Sequence, residues 1–136
     1  MIRDIVKNEE FLKIKSTKAS VEDMMIVQDL KDTLAFNHQR CVGMAANMIG
    51  FSKNIIIFQD KIGYKVMLNP EIIDKDGAYT TKEACLSLVG ERSTLRFKKI
   101  VVKFQDIKMN WHTQKYEGYV AQIIQHEIDH LKGIII

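Results

Sequence analysis

The chain has 136 residues, 46% of them hydrophobic and 27% charged, which predicts one globular domain over residues 1–136 with a core that needs no staples. The formal net charge of +3 is scattered, and basic clusters such as Lys98-Lys99 are short, so a nucleic-acid footprint with a readable motif is excluded. No apolar stretch is long enough to span a bilayer, the start Met1-Ile2-Arg3-Asp4 is already polar, and Cys41 and Cys85 are the only cysteines; a cytoplasmic protein with free thiols is expected.

Ser20 opens the first clear helix, with Asp23 placed to complete a capping box. Val21, Met24, Met25, Val27, Leu30 and Leu34 recur at helical spacing and predict one buried face. Residues 55–58, Ile-Ile-Ile-Phe, read as a buried strand, and 64–68 as a second that ends at Asn69-Pro70. Asp76-Gly77 predicts a turn. Residues 100–104 are β-branched and apolar, a further strand. A second helix is expected from about 118 to 131, with Gly133 suited to its C-terminal stop. Strands in the middle with helices at either side predict an α+β fold and not alternating βαβ units.

Inside the second helix stands His126-Glu127-Ile128-Asp129-His130. Residues i and i+4 share a face, so both imidazoles can reach one ion. Glu127 is placed to take a proton from a water that a divalent metal acidifies toward a pKa of about 7. The third ligand is not in the motif. One kind of zinc protease uses a Glu well downstream, but only six residues follow His130 here. Another continues H-E-x-x-H-x-x-G-x-x-H; this sequence agrees through Gly133 and then has Ile136 in place of the last His. The third ligand is therefore expected upstream, from His38, Cys41, Cys85 or His112. Cys85, within Glu83-Ala84-Cys85-Leu86-Ser87, has the best context, since one thiolate and two imidazoles leave a fourth position open.

At these residues the chain resembles the peptide deformylases. That family carries G-φ-G-φ-A-A-x-Q, E-G-C-L-S and Q-H-E-x-D-H in this order. The sequence offers Cys41-Val42-Gly43-Met44-Ala45-Ala46-Asn47-Met48, then Glu83-Ala84-Cys85-Leu86-Ser87, then Gln125-His126-Glu127-Ile128-Asp129-His130. Ile49-Gly50, Leu68-Asn69-Pro70, Gly90, Arg96 and Leu131-Lys132-Gly133 also fit. The resemblance implies an α+β fold with antiparallel sheets packed around a central metal-bearing helix. It implies Cys85, His126 and His130 as metal ligands, Glu127 as general base and acid, and the Leu86 backbone N–H as an oxyanion donor. Val42, Gly43 and Met44 would pair with a peptide like an added strand, and Met48, Ala84 and Arg96 would belong to the substrate site. The implied cofactor is one divalent ion, Fe²⁺ in the cell, replaceable by Zn²⁺, Ni²⁺ or Co²⁺. The implied reaction removes the formyl group from the N-terminal Met of nascent peptides and releases formate. The implied partners are those nascent chains and the ribosome surface.

Three positions depart from the family pattern. Met48 replaces a Gln, and a thioether cannot donate a hydrogen bond; in other hydrolases the loss of one oxyanion donor costs about a hundredfold to a thousandfold in turnover. Asn47 is adjacent, but neighbouring side chains point in different directions. Cys41 and Ala84 replace glycines and restrict the backbone there. The sequence also stops soon after Gly133, from which weaker docking to the ribosome is expected. Two outcomes are therefore open: a deformylase with a weakened oxyanion site, or a metal-binding homologue that holds formyl-Met peptides with little turnover. The presence of Glu127 favours the first, because a protein that only binds has no use for it.

Overall fold

The computed structural model describes residues 1–136. Its helices are α1 (Glu9–Leu12), α2 (Met24–Phe36) and α3 (Gly118–Leu131), and its strands are β1 (Gly43–Ala45), β2 (Ile55–Gln59), β3 (Tyr64–Ala84), β4 (Glu91–Gln105) and β5 (Trp111–Glu117). All neighbours pair antiparallel, in the order β1-β2-β3-β4-β5. The α+β class agrees with the sequence, but the strands form one continuous sheet and not several.

The capping box at Ser20 is formed. The Asp23 carboxylate accepts the Ser20 N–H at 2.8 Å, and Ser20 Oγ accepts the Glu22 N–H at 3.3 Å. It opens a short 3₁₀ turn, Val21–Asp23, that runs into α2. Ile26, Val27, Leu30 and Leu34 form the buried face, whereas Val21 and Met25 are 66% and 61% exposed. Both were expected inside. The tighter 3₁₀ turn shifts Val21 out of the helical register, and Met25 sits about 100° round from Ile26.

β2 explains the uninterrupted apolar run. Ile56 and Phe58 face α3, in one core with Met67, Val102, Ile124 and Ile128. Ile55 and Ile57 face α2, in a second core with Leu30, Leu34, Met44 and Leu68. A strand covered on both faces has no side to leave polar.

β3 is much longer than the sequence suggested, because neither Asn69-Pro70 nor Asp76-Gly77 ends it. The β3–β4 ladder shifts register between Leu68 and Glu71 and again between Ile72 and Asp74. Asn69 takes a left-handed φ of 53°. Its amide nitrogen donates to the Ala19 carbonyl and to Gln105 Oε1, and its oxygen accepts the Ala19 N–H. Pro70, which has no N–H to give the ladder, falls in this irregular stretch. Gly77 has φ +77° within the strand, where a Cβ would come 3.2 Å from Lys98 Cβ. The left-handed backbone that suits a turn here serves a kink in a long hairpin.

The outer half of that hairpin reaches α3. The Gln125 side-chain amide accepts the Phe97 N–H and donates to the Phe97 carbonyl, each at 2.8 Å, standing in for another strand. α3 ends as expected at Gly133, with φ +77° and the Ile134 N–H returning to the Asp129 carbonyl at 3.0 Å. A side chain at Gly133 would run into the Lys13 carbonyl oxygen.

Candidate active site and metal centre

α3 presents His126 and His130 one turn apart, with their Nε2 atoms facing each other at 3.1 Å. Cys85, in the loop that follows β3, completes the group: its Sγ and the two imidazole nitrogens lie within 4.8 Å of one another. The other upstream candidates are not part of this group. His112 is on β5, paired with Asp106 at 2.7 Å. His38 lines the same cavity but is exposed, with its Nδ1 bonded to the Ala35 carbonyl. Cys41 shares the cavity, but its S–H donates to the Gly43 carbonyl at 2.8 Å.

The donor set fits a divalent ion. Two buried imidazole nitrogens aimed at each other cannot both carry protons. Burial, then the charge of His126, pushes His130 down to about 3. Burial also opposes a proton on His126, but hydrogen bonds to Cys85 and Glu83 outweigh it and hold the ring up to about 10. The site thus concentrates the demand for one positive charge between soft and borderline ligands, which a metal ion meets by displacing the proton.

Behind His126 lies a buried ionic cluster. Glu83 Oε1 accepts the His126 Nδ1–H at 2.7 Å, which leaves Nε2 for a metal. Arg96 donates to both Glu83 oxygens, at 3.0 and 2.7 Å, and to Asp129 at 2.6 Å. Gln122 adds a bond of 2.9 Å to Glu83. Burial raises the Glu83 carboxyl, but the bonds from His126, Arg96 and Gln122 win and bring it down to about 2. Arg96 is 3% exposed. The structure seats it behind His126, bonded to Glu83 and outside the residues that line the cavity.

Glu127 is buried, and burial pushes its carboxyl up to about 7, with His126 pulling it down and Glu83 raising it. Its Oε1 has no hydrogen-bond partner. A carboxylate poised near neutrality can both take and return a proton. Gly43 is what lets β1 approach it: a Cβ there would lie 2.7 Å from Ile123 Cγ2 and 3.0 Å from Glu127 Oε2.

These groups line a cavity of about 550 Å³. Val42, Gly43 and Met48 line it together with Ala84, Cys85 and Leu86. The Leu86 N–H donates to no group of the chain. Met44 is fully buried in the core beneath β1, so only its backbone belongs to the edge. Met48 is 1% exposed, and its sulfur accepts the Ala45 N–H at 3.5 Å. Asn47 turns away from the cavity and donates to the His130 carbonyl at 2.9 Å. Sequence reasoning assigned no role to Glu83, Gln122, Asn47 or Asp129. Glu83, Asn47 and Asp129 stood inside the motifs already quoted, which was the available signal; Gln122 had none.

Residues 2–136 match the sequence model of the polypeptide deformylase family. A peptide deformylase of Clostridium beijerinckii is 48% identical over 136 residues, covering all of this chain and all of that protein. Another, of Dictyoglomus turgidum, is 37% identical and covers 100% of this chain and 91% of that one. Among solved structures, a peptide deformylase from Legionella pneumophila superposes with a TM-score of 0.89 at 31% identity, over 99% of this chain and 83% of that chain. A Met-Ala-Ser-bound class I type b peptide deformylase from Acinetobacter baumannii gives 0.89 at 25% identity, over 99% and 97%.

Proposed function

The chain belongs to the peptide deformylase family, and on that premise we propose that it is a metal-dependent hydrolase that removes the N-formyl group from the N-terminal Met of nascent peptides and releases formate. The observation that carries this is the convergence of Cys85, His126 and His130 beside a buried carboxyl, Glu127, whose Oε1 has no partner. Those three residues would hold the divalent ion, Fe²⁺ in the cell, with Zn²⁺, Ni²⁺ or Co²⁺ able to replace it. Bound there, it would supply the Lewis acidity that activates a water molecule and polarises the formyl carbonyl.

The chain's own groups do the rest. Glu127 accepts the proton of the attacking water and delivers it to the departing amine nitrogen. The Leu86 N–H donates to the oxygen that gains charge. Glu83, held by Arg96 and Gln122, fixes the tautomer and direction of His126. β1 is an edge strand, and its free side at Val42, Gly43 and Met44 suits an extended peptide. The Acinetobacter relative's bound Met-Ala-Ser supports a peptide in this groove. We place the reaction in the cytoplasm, with the ribosome surface as the site of encounter.

Met48 and Asn47 favour a second reading, a homologue that binds formyl-Met peptides with little turnover, since neither offers the cavity an amide donor. Formate release from formyl-Met-Ala-Ser by Fe²⁺- or Ni²⁺-loaded protein separates the two. Release that depends on the metal is expected. A full metal site with no formate would leave only the binding reading.

A further inference from the structure

We infer that the mouth of the active-site cavity selects substrates with acidic side chains at the second to fourth positions of the peptide. The inference rests on the deformylase reading of this cavity and concerns only which peptides it prefers.

Of the 17 residues that line the cavity, the only carboxylates are Glu83 and Glu127, and both are buried. Glu83 is consumed by Arg96, His126 and Gln122. The exposed rim carries the opposite sign. Arg40, just ahead of β1, and Lys82, near the end of β3, both line it and are both exposed. Neither forms an ion pair with any carboxylate of the chain. Arg40 is nonetheless held, because its Nη2 donates to Asn37 Oδ1 at 3.1 Å and Asn37 is itself buried against the end of α2 through the Thr33 carbonyl. Lys82 lies opposite Ser93 in the hairpin ladder, with no acidic partner across the strand. The nearby Glu9 is engaged with Arg92.

The two cations line the cavity a peptide would enter. Arg40 precedes Gly43 by three residues, no more than about 10 Å of extended chain. A peptide paired along β1 with its formyl end at the metal centre therefore passes Arg40 within its first few residues beyond Met, and Lys82 lines the same cavity. Two unpaired cations lining one cavity attract a carboxylate brought into it and repel an ammonium. Each is solvent-exposed, so each favourable pair is worth about two- to fivefold in affinity and is screened by salt. The contacts are remote from the scissile bond and equal in ground and transition states, so they enter through KM.

The test uses three C-terminally amidated peptides, formyl-Met-Ala-Ala-Ala, formyl-Met-Glu-Glu-Ala and formyl-Met-Lys-Lys-Ala, with metal-loaded protein at low ionic strength. The acidic peptide is expected to exceed the neutral one about three- to tenfold in kcat/KM, through KM, and the neutral to exceed the basic. The ranking should collapse in 0.5 M NaCl. In Arg40→Gln/Lys82→Gln the acidic-to-neutral ratio should fall to about one, and Arg40→Glu/Lys82→Glu should invert it. Equal kcat/KM for the three peptides at low salt overturns the inference, as does a ranking that survives in the double variants. A charge-dependent affinity for a single-stranded oligonucleotide that the double variants lose, with flat peptide kinetics, would assign the rim to nucleic acid instead. Absence of formate from the neutral peptide as well would overturn the deformylase reading itself, an outcome distinct from all of these.

Discussion

Glu127 and Met48 meet the same reacting centre from opposite chemistries. A buried carboxyl raised to about 7 is a base only when it has lost its proton, so formate release should rise with pH. The bound cation draws that carboxyl down, which puts the acid limb of the kcat/KM profile at or below about 7. Glu127→Gln should retain metal by elemental analysis and lose at least about a hundredfold in turnover; undiminished formate release in that variant would remove Glu127 from the mechanism. The same burial has a thermodynamic sign. The folded protein binds the Glu127 proton more tightly than the unfolded chain, so metal-free protein loses stability from this group as pH rises from about 4.5 to about 7. Above that range, metal-free Glu127→Gln should melt higher than metal-free wild type, read by calorimetry. Met48→Gln should raise kcat by up to about a hundredfold with little change in KM, because an oxyanion donor acts chiefly as charge develops. An unchanged rate would mean that another donor already serves the site. The grouping of Cys85, His126 and His130 was legible because their motifs are local. The place of Arg96 was not, since its partners Glu83 and Asp129 belong to different elements and only the fold brings them to it.

Between elements, the cluster of Glu83, Arg96 and Asp129 ties β3 and β4 to α3. Replacing Glu83 by Gln leaves the Arg96 charge buried with one carboxylate in place of two. The loss should approach the 3–5 kcal/mol typical of a broken buried pair, visible in urea unfolding, and metal affinity should fall about ten- to a hundredfold against a competing chelator. Unaltered affinity in that variant would make the cluster a purely structural one. α3, β2 and the 100–104 core of β4 could be read from periodicity and β-branching. The length of β3 could not. Asn69-Pro70 and Asp76-Gly77 carry the local chemistry of turns, and a register shift in one case and a left-handed glycine in the other absorb it inside a strand. The Met25 misplacement is helical geometry alone: at about 100° per residue, Met25 falls on the side of α2 opposite the buried Leu34.

Across the whole molecule, the class was evident from the order of strands and helices, whereas the single sheet was not. Its continuity depends on the long β3–β4 ladder, which no local pattern announces. The three candidate ligands come from separate parts of that architecture: one from the loop after β3 and two from α3. A metal ion held by all three is therefore a cross-link. It closes a loop of roughly 40 residues, for which chain entropy alone corresponds to about 4 kcal/mol. Removing it with a chelator should lower the melting temperature and speed amide exchange in residues 85–90 well before the β2 core exchanges. Cys85→Ser should produce the same exchange pattern without any chelator. The ion then has a mechanical duty alongside its chemical one: it knots the hairpin to the helix, so the protein that has lost its metal is not merely idle but locally untied.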